Sequence, residues 1–141
     1  MKDYSLLTTL KALTISNKKE VKVLDKLYKQ FIKYEQNFPP FEEEHSTLDF
    51  VLHHRKVYLI EYNYKVIGFA IVDDNLLDSN FLESLYIIKK FRNKGCGKTC
   101  IKRLLDIYNE VPFRVNCYLN NTEALMFYYK QGFLPYYIGL Y

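Results

Sequence analysis

Apolar residues recur along this chain in two periods, one matching a helix and the other a strand. The opening stretch YSLLTTLKALTI (4–15) leans toward β structure and predicts an edge strand. Asn17 followed by Glu20 has the form of a capping box, and Val21, Leu24, Leu27, Phe31 and Tyr34 then recur at helical spacing. That helix must stop before Pro39 and Pro40. A short second helix is expected from Leu48 to His54. VYLIEYN (57–63) and VIGFAIVDD (66–74) flank Tyr64 and Lys65 as an antiparallel hairpin, and FLESLYII (81–88) reads as a further strand.

Further on, Gly97, Ile101, Leu104, Leu105 and Tyr108 mark one face of a helix that ends before Pro112. FRVNCYL (113–119) is apolar enough for a strand. Strand, loop, helix and strand in this order form a βαβ crossover, so the strands at 81–88 and 113–119 should run parallel with a right-handed connection. Asn120 or Asn121 then caps a last helix to Gln131, closed by Gly132, and FLPYYIGLY (133–141) predicts a short final strand. Without repeats, low-complexity tracts or a linker, residues 1–141 read as one α+β domain with a mostly antiparallel sheet.

Composition narrows the function classes. With 49% apolar residues the chain is not disordered, and its longest apolar run, VIGFAIV (66–72), is far short of the about 20 residues that span a bilayer. MKDYSLLTTLKAL does not have the form of a signal peptide. Cys96, Cys100 and Cys117 show no metal spacing and cannot all pair, which fits free thiols in a reducing cytoplasm. The net charge of +4 is unevenly placed. No acidic residue lies between Glu83 and Asp106, while Lys89, Lys90, Arg92, Lys94, Lys98, Lys102 and Arg103 all do. Such a run is either a solvated helix face or a polyanion site. Confined to one loop and its helix, without interleaved aromatics, it suits a compact multi-phosphate ligand better than a nucleic acid.

The loop itself, RNKGCGKT (92–99), ends like a nucleotide-triphosphate loop. Counting back along the motif G-x-x-x-x-G-K-[ST] from Gly97, however, lands on Arg92, where a side chain would obstruct the wrap around a phosphate. As Arg92-x-x-Gly95-x-Gly97 opening a helix, the same segment offers close backbone approach and outward N–H groups to a diphosphate. A second motif makes the pattern specific. LYIIKKFRNKGCGKTCIKRLL (85–105) and NNTEALMFYYKQGF (120–133) together resemble the GNAT superfamily of acetyl-CoA-dependent N-acetyltransferases. In the second segment Asn121, Ala124, Tyr128, Gly132 and Phe133 match the family's N-x-x-A-x-x-x-Y-x-x-x-G-F pattern. The resemblance covers 57–133 well and the first helices loosely.

It implies a three-layer fold of about four helices on a twisted sheet, whose parallel fourth and fifth strands splay to admit the pantetheine arm of coenzyme A. Acetyl-CoA would then be the donor, with no metal. Leu85, Ile87, Arg92, Asn93, Lys94, Gly95, Cys96, Gly97, Lys98, Thr99, Asn121 and Tyr128 would contact it, a backbone amide around Ile87 facing the thioester carbonyl. Gly95, Gly97 and the first-turn amides of Lys98 and Thr99 would hold the pyrophosphate, with charge from Arg92 and the lysines. Tyr128 would protonate the departing thiolate, and Asn121 would bond the pantetheine or cap its helix.

Glu83 lies where members of the family often place the base that accepts the amine proton, but the bulge that the resemblance implies in that strand leaves its face undecided. Glu61, Tyr62, His53 and His54 are its rivals, and water alone is a further option. Cys117 reads as packing. The acceptor, a small-molecule or peptide amine, is not disclosed; Glu42, Glu43 and Glu44 could attract a cation or form a solvated turn. Members of the family usually carry two strands after the Gly-Phe, whereas this chain ends eight residues past Phe133. The last strand would then be an edge, pair with a second subunit in a homodimer, or leave the acceptor site open. Beside the N-acetyltransferase stand two other functions: a non-catalytic acyl-CoA-binding regulatory module, and a small basic nucleic-acid-binding protein. Localisation is expected to be cytoplasmic.

Overall fold

The computed structural model describes residues 3–38 and 46–137. After a 3₁₀ turn at Ser5–Leu7 come strand β1 (Thr8–Ala12), helices α1 (Lys18–Glu35) and α2 (Leu48–His54), and strands β2 (Lys56–Tyr62), β3 (Lys65–Asp73) and β4 (Asn80–Ile87). Helix α3 (Cys96–Ile107), strand β5 (Phe113–Val115) and helix α4 (Thr122–Lys130) follow. The five strands form one sheet in the order β1-β2-β3-β4-β5, antiparallel from β1 to β4 and parallel between β4 and β5. Among the described residues no helix is long and apolar enough to cross a membrane.

Three layers result because the sheet has two apolar faces. Leu24, Leu27, Tyr28 and Phe31 of α1 pack with Val51 of α2 against Leu59, Phe69 and Ile71 on one face. Cys96, Cys100, Ile101 and Leu104 of α3 pack with partly buried Phe127 and Tyr128 of α4 against Ile60, Ile67, Ala70 and Leu82 on the other. The central strand β3 is accordingly buried from Ile67 to Val72, which explains its unbroken apolar run.

Local chemistry sets the element ends. Asn17 accepts from the Glu20 amide at the start of α1, while the Glu20 carboxylate turns away from Asn17 to the Thr14 amide at 3.2 Å and to Lys11 at 2.7 Å. The hairpin turn lies one residue earlier than its sequence suggests. Asn63 and Tyr64 both adopt positive φ, 47° and 68°, the paired left-handed geometry that matches the twist of the flanking strands. Asn63 tolerates that region, and Tyr64 is fully in solvent.

Three expectations need correction. Leu105 is exposed, because the buried face of α3 runs through Cys100, Ile101 and Leu104 instead. Strand β5 pairs only over Phe113–Val115, not to 119. Residues 133–137 form no strand, and 138–141 lie outside the described residues, as do Glu42, Glu43 and Glu44. The short β5 has a consequence for the site. Its register with β4 covers Asn80↔Phe113, Phe81↔Arg114 and Leu82↔Val115 only, so β4 runs on to Ile87 without a parallel neighbour. The sheet is open along that edge.

Candidate active site

At the end of the open edge the chain turns through a loop into α3. Asn93 (φ 60°) and Gly95 (φ 91°) are both left-handed there, which bends the backbone sharply into the helix. The first helical bond of α3 is Thr99 N–H to Gly95 C=O, at 3.0 Å. The amides of Cys96, Gly97 and Lys98 therefore have no acceptor within the helix, and no side chain caps them. These orphan donors and the helix dipole together favour an anion. Gly97 is needed for packing: a Cβ there would stand 3.1 Å from the Phe127 ring, so α4 closes directly on the mouth of α3.

The side chains around this mouth have partners within the protein. The Arg92 Nε donates to the Ile87 carbonyl at 2.7 Å, and its guanidinium lies 4.9 Å from the Tyr34 ring centre and 5.5 Å from that of Tyr86. Its charge is thus braced against α1 and β4. Lys94 donates to the Lys90 carbonyl at 2.7 Å. The Tyr4 amide donates to the Lys94 carbonyl at 2.7 Å, so the N-terminal segment lies along the loop. Asp3 is bound to Ser5 (2.9 Å to its amide), and these bonds, with help from the charge of Lys98, hold its carboxyl below the usual range. Cys96 is buried, its sulfur 3.4 Å from the Thr8 hydroxyl, which leaves only its backbone for a ligand.

Along the open edge, Leu85 and Ile87 pack toward the α3–α4 layer and Tyr86 toward α1, as alternation requires. Asn121, buried, caps α4 by accepting from the Ala124 amide at 3.2 Å; its Nδ2 donates to the Tyr34 hydroxyl at 3.3 Å. Tyr34 therefore ties α1 to α4 as well as to Arg92 and Tyr86. Tyr128 packs between Phe127 and Phe133. Burial raises its phenol above the ordinary value, and the charges of Cys117, Cys100, Glu35 and Tyr34 add to this. At neutral pH it stays protonated. Burial also pushes the Cys117 thiol up to about 11, so it is no nucleophile.

Glu83 is the extra residue of the bulge, since Ile71 pairs with Ser84 and Val72 with Leu82. It faces the α1–α2 layer, where burial and then its charge push the Tyr28 phenol up to about 12. Arg55 holds it at 3.2 Å and also lies 3.6 Å from Asp73. Glu61 and Tyr62 lie at the far side of the sheet beside β1, the Tyr62 ring stacked on Tyr4 at 4.3 Å. His53 and His54 are exposed on α2. Two residues escaped the sequence reading, Tyr34 as a tie and Glu35 as a half-buried carboxyl. Glu35 carried a visible signal, because it continues the Leu24, Tyr28, Phe31 stripe of α1.

The model of the acetyltransferase (GNAT) family matches residues 22–133. No curated protein matches the chain significantly. Among solved structures, a possible acetyltransferase from Clostridium difficile 630 superposes with a TM-score of 0.69 at 16% identity, covering 96% of this chain and 95% of that one. An aminoglycoside acetyltransferase from an uncultured soil metagenomic sample, in complex with trehalose, gives 0.70 at 15% identity with 96% and 95% covered. A GNAT family acetyltransferase from Elizabethkingia anophelis with acetyl-CoA bound gives 0.63 at 20% identity, with 88% and 74% covered. These likenesses show the fold.

Proposed function

The chain belongs to the acetyltransferase (GNAT) family, and from that premise we propose that it transfers an acetyl group from acetyl-CoA to a primary amine by direct attack in a ternary complex. The observation that carries this reading is the set of orphan amides of Cys96, Gly97 and Lys98 at the end of an unpaired stretch of β4. The amides receive the pyrophosphate, and the free edge of β4 from Ser84 to Ile87 offers its backbone to the pantetheine. Arg92 holds the strand end and the loop in register through the Ile87 carbonyl; it acts as a brace, with the phosphate charge met by the helix mouth. Lys98 and Thr99 contribute chiefly their backbone.

In the reaction the neutral amine attacks the thioester carbonyl, the C–S bond breaks, and Tyr128 gives its proton to the departing thiolate. Its phenol is protonated at working pH and so has a proton to give. Some neighbours of this fold are aminoglycoside acetyltransferases, which supports an amine as acceptor. Residues 1–141 are taken as one catalytic domain acting in a reducing cytoplasm, where three free thiols persist.

Calorimetry with acetyl-CoA, coenzyme A and Mg-ATP tests the reading, together with thiol release over a panel of small-molecule and peptide amines. Acetyl-CoA should bind and Mg-ATP should not. Tyr128→Phe should lower kcat about a hundredfold while leaving acetyl-CoA affinity unchanged. Binding without acetylation of any amine would favour the acyl-CoA-binding module instead.

A further inference from the structure

Glu83 is held by Arg55, and Glu35 is a further, half-buried carboxylate on the α1 side of the sheet. It is the last residue of α1 and lies one turn beyond Phe31 and two beyond Tyr28 on the stripe that packs against the sheet. An apolar side chain would normally continue such a stripe. Glu35 is half-buried, and among the described residues no cation stands within ion-pair distance of it. The C-terminus of its own helix also disfavours negative charge. Its neighbour Tyr34 is bonded to Asn121, which places this turn of α1 across the gap between β4 and the start of α4. The charge of Glu35 is felt by the Cys117 thiol and the Tyr128 phenol.

We propose that Glu35 is the general base that receives the acceptor's ammonium proton, from the α1 side of the same site in which Tyr128 protonates the thiolate. This rests on the acetyltransferase reading above. The ammonium gives one proton to the Glu35 carboxylate and becomes a neutral amine. Its lone pair forms the N–C bond as the C–S bond breaks. Tyr128 protonates the sulfur and recovers its proton from the substituted nitrogen through water, and Glu35 releases its own to solvent. One proton leaves per turnover. Burial holds the Glu35 carboxyl above the usual range, toward neutrality, where a base is most effective. The titratable and charged groups around it are Tyr34 on α1, Cys117 after β5 and Tyr128 on α4, with Arg92 beyond Tyr34.

The test compares wild type, Glu35→Gln and Glu35→Asp in kcat/KM against pH, with acetyl-CoA affinity measured separately. Glu35→Gln should lose about a hundredfold in kcat/KM at neutral pH and lose the acid limb of the profile. Its acetyl-CoA affinity should stay within about twofold, and Glu35→Asp should restore part of the rate and the limb. Independently, a carboxyl-carbon NMR titration of the wild type should find Glu35 above the usual glutamate value. A Glu35→Gln variant that keeps its rate or its acid limb overturns the proposal, as does an ordinary titration in the wild type. Either result leaves the acetyltransferase reading standing. Wild type that acetylates no amine removes both, and that is seen before any variant is made.

Discussion

A Cβ built on Gly68 would lie 2.1 Å from the Tyr86 carbonyl oxygen and 3.0 Å from the Ile87 Cα. Both are backbone atoms of the partner strand, which cannot step aside as a side chain can. Gly68→Ala must push β3 away from β4 at the end of β4 that has no parallel neighbour. The expected loss is about 2 kcal/mol of stability in urea unfolding, with a weaker acetyl-CoA affinity alongside it. Wild-type stability in that variant would contradict the close approach. The same scale separates residues whose role the sequence shows from those whose role it hides. Gly95 was legible as a position that needs no side chain, and glycine alone takes its φ of 91° without strain. The partners of Arg92 were not legible, because the two tyrosines its guanidinium lies against come from α1 and β4.

Among the elements, α4 depends most on one side chain. Asn121 both caps the helix and reaches Tyr34, so Asn121→Ala should cost about 1 kcal/mol through the cap and also release α1 from α4. Asn121→Ser retains a capping oxygen but no amide. It should recover most of the stability in thermal unfolding while leaving the Tyr34 link broken. If serine is no better than alanine, the cap is not the source of the loss. The starts of α1 and α4 were visible in the sequence because capping is a local exchange between neighbours: Asn17 and Asn121 each accept from an amide three residues on, as Thr47 does for α2. Strand β5 was overestimated for the opposite reason. Its seven apolar-leaning residues fit a strand, but pairing needs a partner in register, and β4 diverges after Leu82.

Across the whole molecule, two glutamates make stability depend on pH in opposite directions. Lys11 at 2.7 Å, assisted by the Thr14 amide, holds the Glu20 carboxyl below its unfolded value. That contribution is present above the unfolded pKa and is lost as pH falls through the depressed folded one. Burial instead raises Glu35, so its contribution is present below the unfolded pKa and is lost as pH rises through the folded one. Thermal melting across the acid-to-neutral range should therefore show two trends. The deficit of Lys11→Ala relative to wild type should close as the solution becomes strongly acidic. The standing of Glu35→Gln relative to wild type should improve as pH rises, because glutamine has no charge to bury. Parallel curves in either comparison would refute the corresponding environment.

Periodicity, caps and the two glycine-bearing motifs determined the order of the elements, the parallel pairing of β4 with β5, and the glycine loop that opens α3. Each of these is a local preference, or a crossover that chain connectivity permits in few ways. Tertiary structure alone decided which side chains face one another across the open edge. It placed Glu83 in a bulge beside Arg55, turned Arg92 onto Tyr34 and Tyr86, and brought Glu35 within electrostatic reach of Tyr128, a residue far along the chain. Burial and cross-sheet charge depend on distances between layers, and no window of sequence contains those.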